Sequence, residues 1–118
     1  MAEVRLRHAS RAVLHYTYAV RILILMDTVE FDWDQVNTGH IARHGVTPDE
    51  VGQVFVDDEM DIDYAVVGEE ERWTVIGQTH LARVLIVVFT MRGDLVRTVT
   101  AYEASSRMHA EYFANKGQ

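Results

Sequence analysis

The chain has 118 residues and no cysteine, with 48% hydrophobic and 25% charged residues. That is enough to bury one core without disulfides or a structural metal, and it is unlike a disordered or collagen-like composition. The absence of cysteine excludes disulfide frameworks and CxxC metal sites and suits a reducing compartment, so a cytoplasmic location is expected. The formal net charge of −7 is uneven: four arginines (Arg5, Arg7, Arg11, Arg21) face one acid (Glu3) before Met26, a local +3 that leaves −10 for the rest. An acidic body repels nucleic acid at long range, which counts against a nonspecific DNA or RNA binder but leaves room for a local basic site.

Residues 1–25 read as an N-terminal extension and 26–118 as the domain. Ala12 to Leu25 is apolar apart from His15, Thr17 and Arg21. Arg21 interrupts the run and no small-residue cleavage site follows, so it makes a poor signal peptide. It is also shorter than the ~20 apolar residues that span a bilayer, and no membrane association is expected. The segment is read as an extra strand or helix packed on the domain, or as lying ahead of a start at Met26.

From Val29 the patterns sharpen. Val29, Phe31 and Trp33 alternate with acids, as in a half-buried strand. Asp34 is placed to cap a helix running to about His44, closed by Gly45. Thr47-Pro48-Asp49-Glu50 opens a second helix with a capping box, and Val51, Val54 and Phe55 share its inner face. Glu59 to Val66 alternates Met60, Ile62, Tyr64 and Val66 with Asp61, Asp63 and Ala65, predicting a strand with one buried and one acidic face. After a turn at Gly68 come a strand over Arg72 to Gln78 and a nearly continuous apolar strand over Arg83 to Met91, the core candidate. Gly93-Asp94 marks a tight hairpin into a last strand, Leu95 to Ala101. Ser105 or Ser106 caps a final helix that points Met108, Tyr112 and Phe113 inward. The expected fold is α+β: a small antiparallel sheet of four to five strands, flanked by two N-terminal helices and one C-terminal helix.

Phe31-Asp32-Trp33-Asp34 followed by His40-Ile41-Ala42-Arg43-His44-Gly45-Val46-Thr47-Pro48-Asp49-Glu50-Val51 resembles the opening of the BrnT family. Glu71-Arg72-Trp73, Phe89-Thr90-Met91-Arg92-Gly93-Asp94-Leu95-Val96-Arg97 and Val99-Thr100-Ala101 extend the likeness over about residues 29 to 115. The resemblance implies a fold similar to RelE-type toxins, a metal-independent endoribonuclease activity and no cofactor. It also implies a ribbon-helix-helix antitoxin as partner, which neutralises the toxin and represses the operon. One position departs from the family pattern. Where an arginine usually follows the Ser/Thr-Ala pair, this chain has Tyr102 and then Glu103. A fixed positive charge is thereby lost and a negative one added. The alternative function is a non-catalytic relative that keeps only the surface for an antitoxin or another protein partner.

Cutting RNA without a metal needs a base for the 2′-OH, an acid for the leaving oxygen and cations around the phosphorus. His44 is the first candidate for proton transfer. His40, four residues earlier, shares its helix face, and Arg43 lies beside both. The competing structural reading is that His44 only caps the helix end. Arg97 is the foremost candidate for phosphate contact, pointing into a cleft or pairing with an acid; Arg72 and Arg92 are further candidates, with surface pairing the simpler fate of both. Tyr102 can donate a hydrogen bond or a proton. The His40/His44 spacing also fits a metal site, but no motif supplies a third ligand, so no metal is expected.

Overall fold

The computed structural model describes residues 5–6 and 29–116. The strands are β1 (Arg5–Leu6), β2 (Glu30–Phe31), β3 (Asp61–Val67), β4 (Glu70–Gln78), β5 (Val84–Arg92) and β6 (Leu95–Glu103). The helices are α1 (Gln35–Ala42), α2 (Pro48–Phe55) and α3 (Ser106–Lys116). They form the expected α+β arrangement around one sheet of order β1-β3-β4-β5-β6-β2. β3 to β6 are an antiparallel meander because tight turns join them in sequence. The two-residue edge strands run parallel to their neighbours β3 and β6. No tight turn sets their direction: β2 reaches β6 only after two helices and three strands. The expected packing of the Ala12 to Leu25 segment lies outside the described residues.

One face of the meander carries the core. Ile62, Tyr64, Trp73, Val75, Leu85, Val87, Phe89, Val96 and Ala101 meet Ile41 of α1 and Val51, Val54 and Phe55 of α2. Burying each large side chain of this set contributes about 1.5–3 kcal/mol. α2 lies so close to β4 that a Cβ on Gly77 would sit 3.0 Å from Val54 Cγ1 and 3.1 Å from Asp57 Oδ2, so even alanine there would require α2 or its side chains to shift. Both helix starts follow their sequence signals. Thr47 and Glu50 exchange the hydrogen bonds of a capping box, with Pro48 at the first helical position. α1 closes through Val46 N–H to the Ile41 carbonyl and Gly45 N–H to the Ala42 carbonyl, with Gly45 at φ +72°.

The first strand is shorter than its alternation suggested, because Asp34 already caps α1 three residues after β2. Phe31 and Trp33 instead pack on the core, Phe31 standing edge-on to Phe55. The acidic face expected on β3 is only partly realised: Asp61 is 2% exposed and pairs with Lys116 of α3 at 3.2 Å. Val66, two residues before the Gly68 turn of the β3–β4 hairpin, is exposed rather than buried. In α3 Tyr112 is buried and bonded to Asp57, while Phe113 lies partly in solvent. Ser105 is the residue whose side chain caps this helix, accepting from Met108 N–H.

The irregularity that matters most is in β6. Val88 pairs with Thr100 but Phe89 pairs with Thr98, so Val99 is an extra residue, a β-bulge. Arg97 pairs with Thr90 and Tyr102 with Ile86. Thr90 and Ile86 are an even number of residues apart on β5, so the bulge brings Arg97, Thr100 and Tyr102 to the same face, opposite the core.

Candidate functional site

α1 is fixed along β6, where β2 stops covering that strand's edge. Asp32 N–H donates to the Val96 carbonyl, and the buried Asn37 side chain donates to the Asp32 and Thr98 carbonyls. A side-chain amide thus takes the place of the next strand residue. Asn37 also completes a capping box with Asp34, accepting from its N–H while Asp34 Oδ1 accepts from Val36 and Asn37 N–H. One turn later, His40 Nε2 shares a hydrogen bond with Thr100 Oγ1 at 3.2 Å.

Between α1 and the sheet face opposite the core runs a cleft of about 590 Å³, whose lining includes His40, Arg43, Arg72, Thr90, Arg92 and Arg97. Five of the seven sequence candidates therefore converge, from α1, β4, β5 and β6. Arg97 is the most enclosed of the four arginines, its side chain 13% exposed, and it pairs with Asp34 at 3.0 Å and Asp32 at 3.4 Å. Arg72 pairs with Glu70 at 2.7 Å. Arg43 and Arg92 are exposed and form no ion pair among the described residues. Backbone N–H bonding from Asn37, followed by Arg97, holds the Asp34 carboxyl below its usual range, and Asp34 in turn raises Arg97 further. Both stay charged across the physiological range.

The other two candidates, His44 and Tyr102, stand beside the cleft rather than in its wall. Their rings are 6.1 Å apart, and His44 is 5.5 Å from His40, so Tyr102, His44 and His40 form a row leading to the cleft. Glu103 takes no part in it. It pairs with Arg83, which also donates to Glu50 at 2.8 Å and to the Gly45 carbonyl at 2.8 Å. The negative charge read as adjoining Tyr102 is thus neutralised on the α2 side. Among the described residues no group of three or more His, Asp or Glu side chains is placed to hold a metal. No helix among them is long and apolar enough to cross a membrane.

Sequence reasoning missed Asp32, Thr100 and the second role of Asp34. Asp34 was legible as a helix cap, but nothing local ties it to an arginine 63 positions later. Thr100 acquires its position only from the bulge. Together the cleft can bind a phosphate diester through guanidinium groups and move a proton at His40. A family model described as ribonuclease toxin, BrnT, of type II toxin-antitoxin system matches residues 33–107, a span holding every residue named for the cleft and the row beside it except Asp32. No curated protein matches the chain.

Proposed function

Because the chain belongs to the BrnT family, the ribonuclease toxins of type II toxin-antitoxin systems, we propose that it is the toxin of such a pair and cuts RNA by a metal-independent route in this cleft. The observation that carries the reading is the convergence of His40 with Arg43, Arg72, Arg92 and Arg97 from four separate elements. Arg97 contacts the scissile phosphate and offsets charge that grows as the phosphorane forms. Arg72 and Arg92 hold its neighbours along the chain, and Arg43 screens the helix side. His40 takes the 2′-OH proton. That oxygen attacks phosphorus, the 5′-oxygen leaves with a proton supplied through His44 or Tyr102, and a 2′,3′-cyclic phosphate remains. The partner is a ribbon-helix-helix antitoxin and the setting is the cytoplasm. The ion pairs that occupy Arg72 and Arg97, together with Tyr102 at the usual arginine position, favour one other reading: a non-catalytic member that retains the antitoxin surface.

An end-labelled RNA incubated with the protein in EDTA separates these. Cleavage leaving 2′,3′-cyclic phosphate ends is expected, falling on the order of 10²-fold in Arg97→Ala and in His40→Ala with unchanged melting. Cleavage indifferent to both substitutions overturns the site. No cleavage, with no growth arrest on induction but intact antitoxin binding, establishes the non-catalytic reading.

A further inference from the structure

We propose that Asp34 is the positioning residue of Arg97: its carboxylate clamps one amino group of the guanidinium while capping α1, and so turns the remaining Nε–Nη2 edge toward a phosphate in the cleft. The inference rests on the cleft being a phosphate site. All of the ion-pair and hydrogen-bond contacts of Arg97 among the described residues use Nη1: Asp34 Oδ2 at 3.0 Å, Asp32 Oδ2 at 3.4 Å and the Asp32 carbonyl at 3.5 Å. A guanidinium is planar and offers its N–H groups in pairs, so acceptors gathered on Nη1 leave the Nε–H and outer Nη2–H as an intact fork. Such a fork matches two oxygens of one phosphate.

Asp34, rather than Asp32, sets that orientation. It is the nearer of the two, and its other oxygen is tied to the Val36 and Asn37 N–H groups, which stops the carboxylate from swinging away. The same side chain fixes the start of the helix that carries His40. One residue therefore couples the Arg97 fork to the height of His40 along the cleft. A capping residue alone requires an oxygen acceptor but no charge, whereas the clamp requires both carboxylate oxygens. The two roles are separable by substitution. In Asp34→Asn the carbonyl oxygen keeps the cap, an exchange between equally good N-cap residues, and the amide NH₂ faces the guanidinium with no acceptor to offer.

The test uses the full chain as wild type, Asp34→Asn, Arg97→Ala and the double variant, with all-2′-O-methyl RNA as an uncleavable probe. Asp34→Asn is expected to melt within a few degrees of wild type. The Arg97 Nε–H signal in proton–nitrogen spectra, identified by its loss in Arg97→Ala, is expected to be resolved in wild type and to move to the free-arginine position in Asp34→Asn. Probe binding should weaken about tenfold in Asp34→Asn, the size of one lost charge-assisted contact. The double variant should bind no more weakly than Arg97→Ala alone, since the clamp acts only through Arg97. An unmoved Nε–H signal, or additive losses in the double variant, overturns the proposal. If Asp34→Asn fails to fold, Asp34→Ser supplies the same readouts, because serine caps but cannot reach Arg97. Arg97→Ala binding the probe as tightly as wild type overturns the phosphate reading itself, while the Nε–H signal still decides whether Asp34 holds Arg97.

Discussion

Tyr102 occupies the position where the resemblance called for arginine, and its surroundings make it a useful probe. It is exposed on the cleft face of β6, beside His44. An arginine there would extend the Tyr102–His44–His40 row with a fixed positive charge close to the cleft. Tyr102→Arg is therefore expected to raise RNA cleavage about tenfold or more, a part of what one preorganised donor supplies. Initial rates on the labelled RNA check it, and no increase would show that this position lies too far from the phosphate. Glu103 does not mask the gain, because Arg83 already holds it on the opposite side of the strand. At this scale the sequence named five residues that line one cleft but did not say which histidine lies in its wall. His44 came first for its place at a helix end, but His40 is the histidine in the cleft wall. Both lie on one helical face, and only the position of β6 decides which of them meets the arginines.

Elements are joined at a few polar nodes, and Arg83 is one of them. It ties the start of α2, the α1–α2 turn and the end of β6 through Glu50, Gly45 and Glu103. Burial pushes the Glu50 carboxyl up, but hydrogen bonds from Arg83 and Thr47 outweigh it and hold the group below its usual range. A carboxyl lowered in the folded state stabilises the fold at pH above the ordinary glutamate value of about 4.3, and that contribution fades as pH falls through the folded value. Arg83→Ala should cost about 1–3 kcal/mol at neutral pH, the scale of hydrogen bonds to charged groups. Its melting temperature should also fall less steeply than that of wild type between about pH 5 and 3. Thermal melts at stepped pH read both, and parallel curves would show that Glu50 does not depend on Arg83. The bulge at Val99 is the second element-scale device. Deleting Val99 leaves Thr98 and Thr100 adjacent opposite Phe89 and Val88, a simple ladder that keeps Ala101 in the core and Arg97, Thr100 and Tyr102 on the cleft face. A cooperative melt is expected to survive the deletion, and its loss would contradict the assignment of Val99 as the extra residue.

For the whole molecule, charge sets the order of partners. A body of net charge −7 in which four of the eleven Lys and Arg side chains line the cleft can engage only a few phosphates there at once. Affinity for a generic single-stranded RNA should therefore fall with salt along a shallow slope, about −0.7 per phosphate engaged and about −2 to −3 in total. A basic antitoxin meets the acidic exterior with complementary charge, which favours encounter and should make it the tighter ligand at physiological salt. Titrations of both ligands from low to physiological salt check the order. A steep RNA slope, or tight generic RNA binding without antitoxin binding, would reverse it.

The sequence by itself determined what depends on neighbours within a few residues. Hydrophobic period, capping boxes and turn residues placed α1, α2 and the β3–β6 meander, since each records a local backbone demand that few residue types satisfy. The family motifs likewise pointed to the residue types of the cleft. Only the tertiary structure decided which of those residues share it. Arg97 reaches Asp34 across 63 positions, the buried Asp61 meets Lys116 of α3 across 55, and Thr100 meets His40 through a one-residue bulge. Such pairings depend on strand register and helix docking. These are set by the summed packing of the whole core rather than by any segment, so they leave no mark on local sequence.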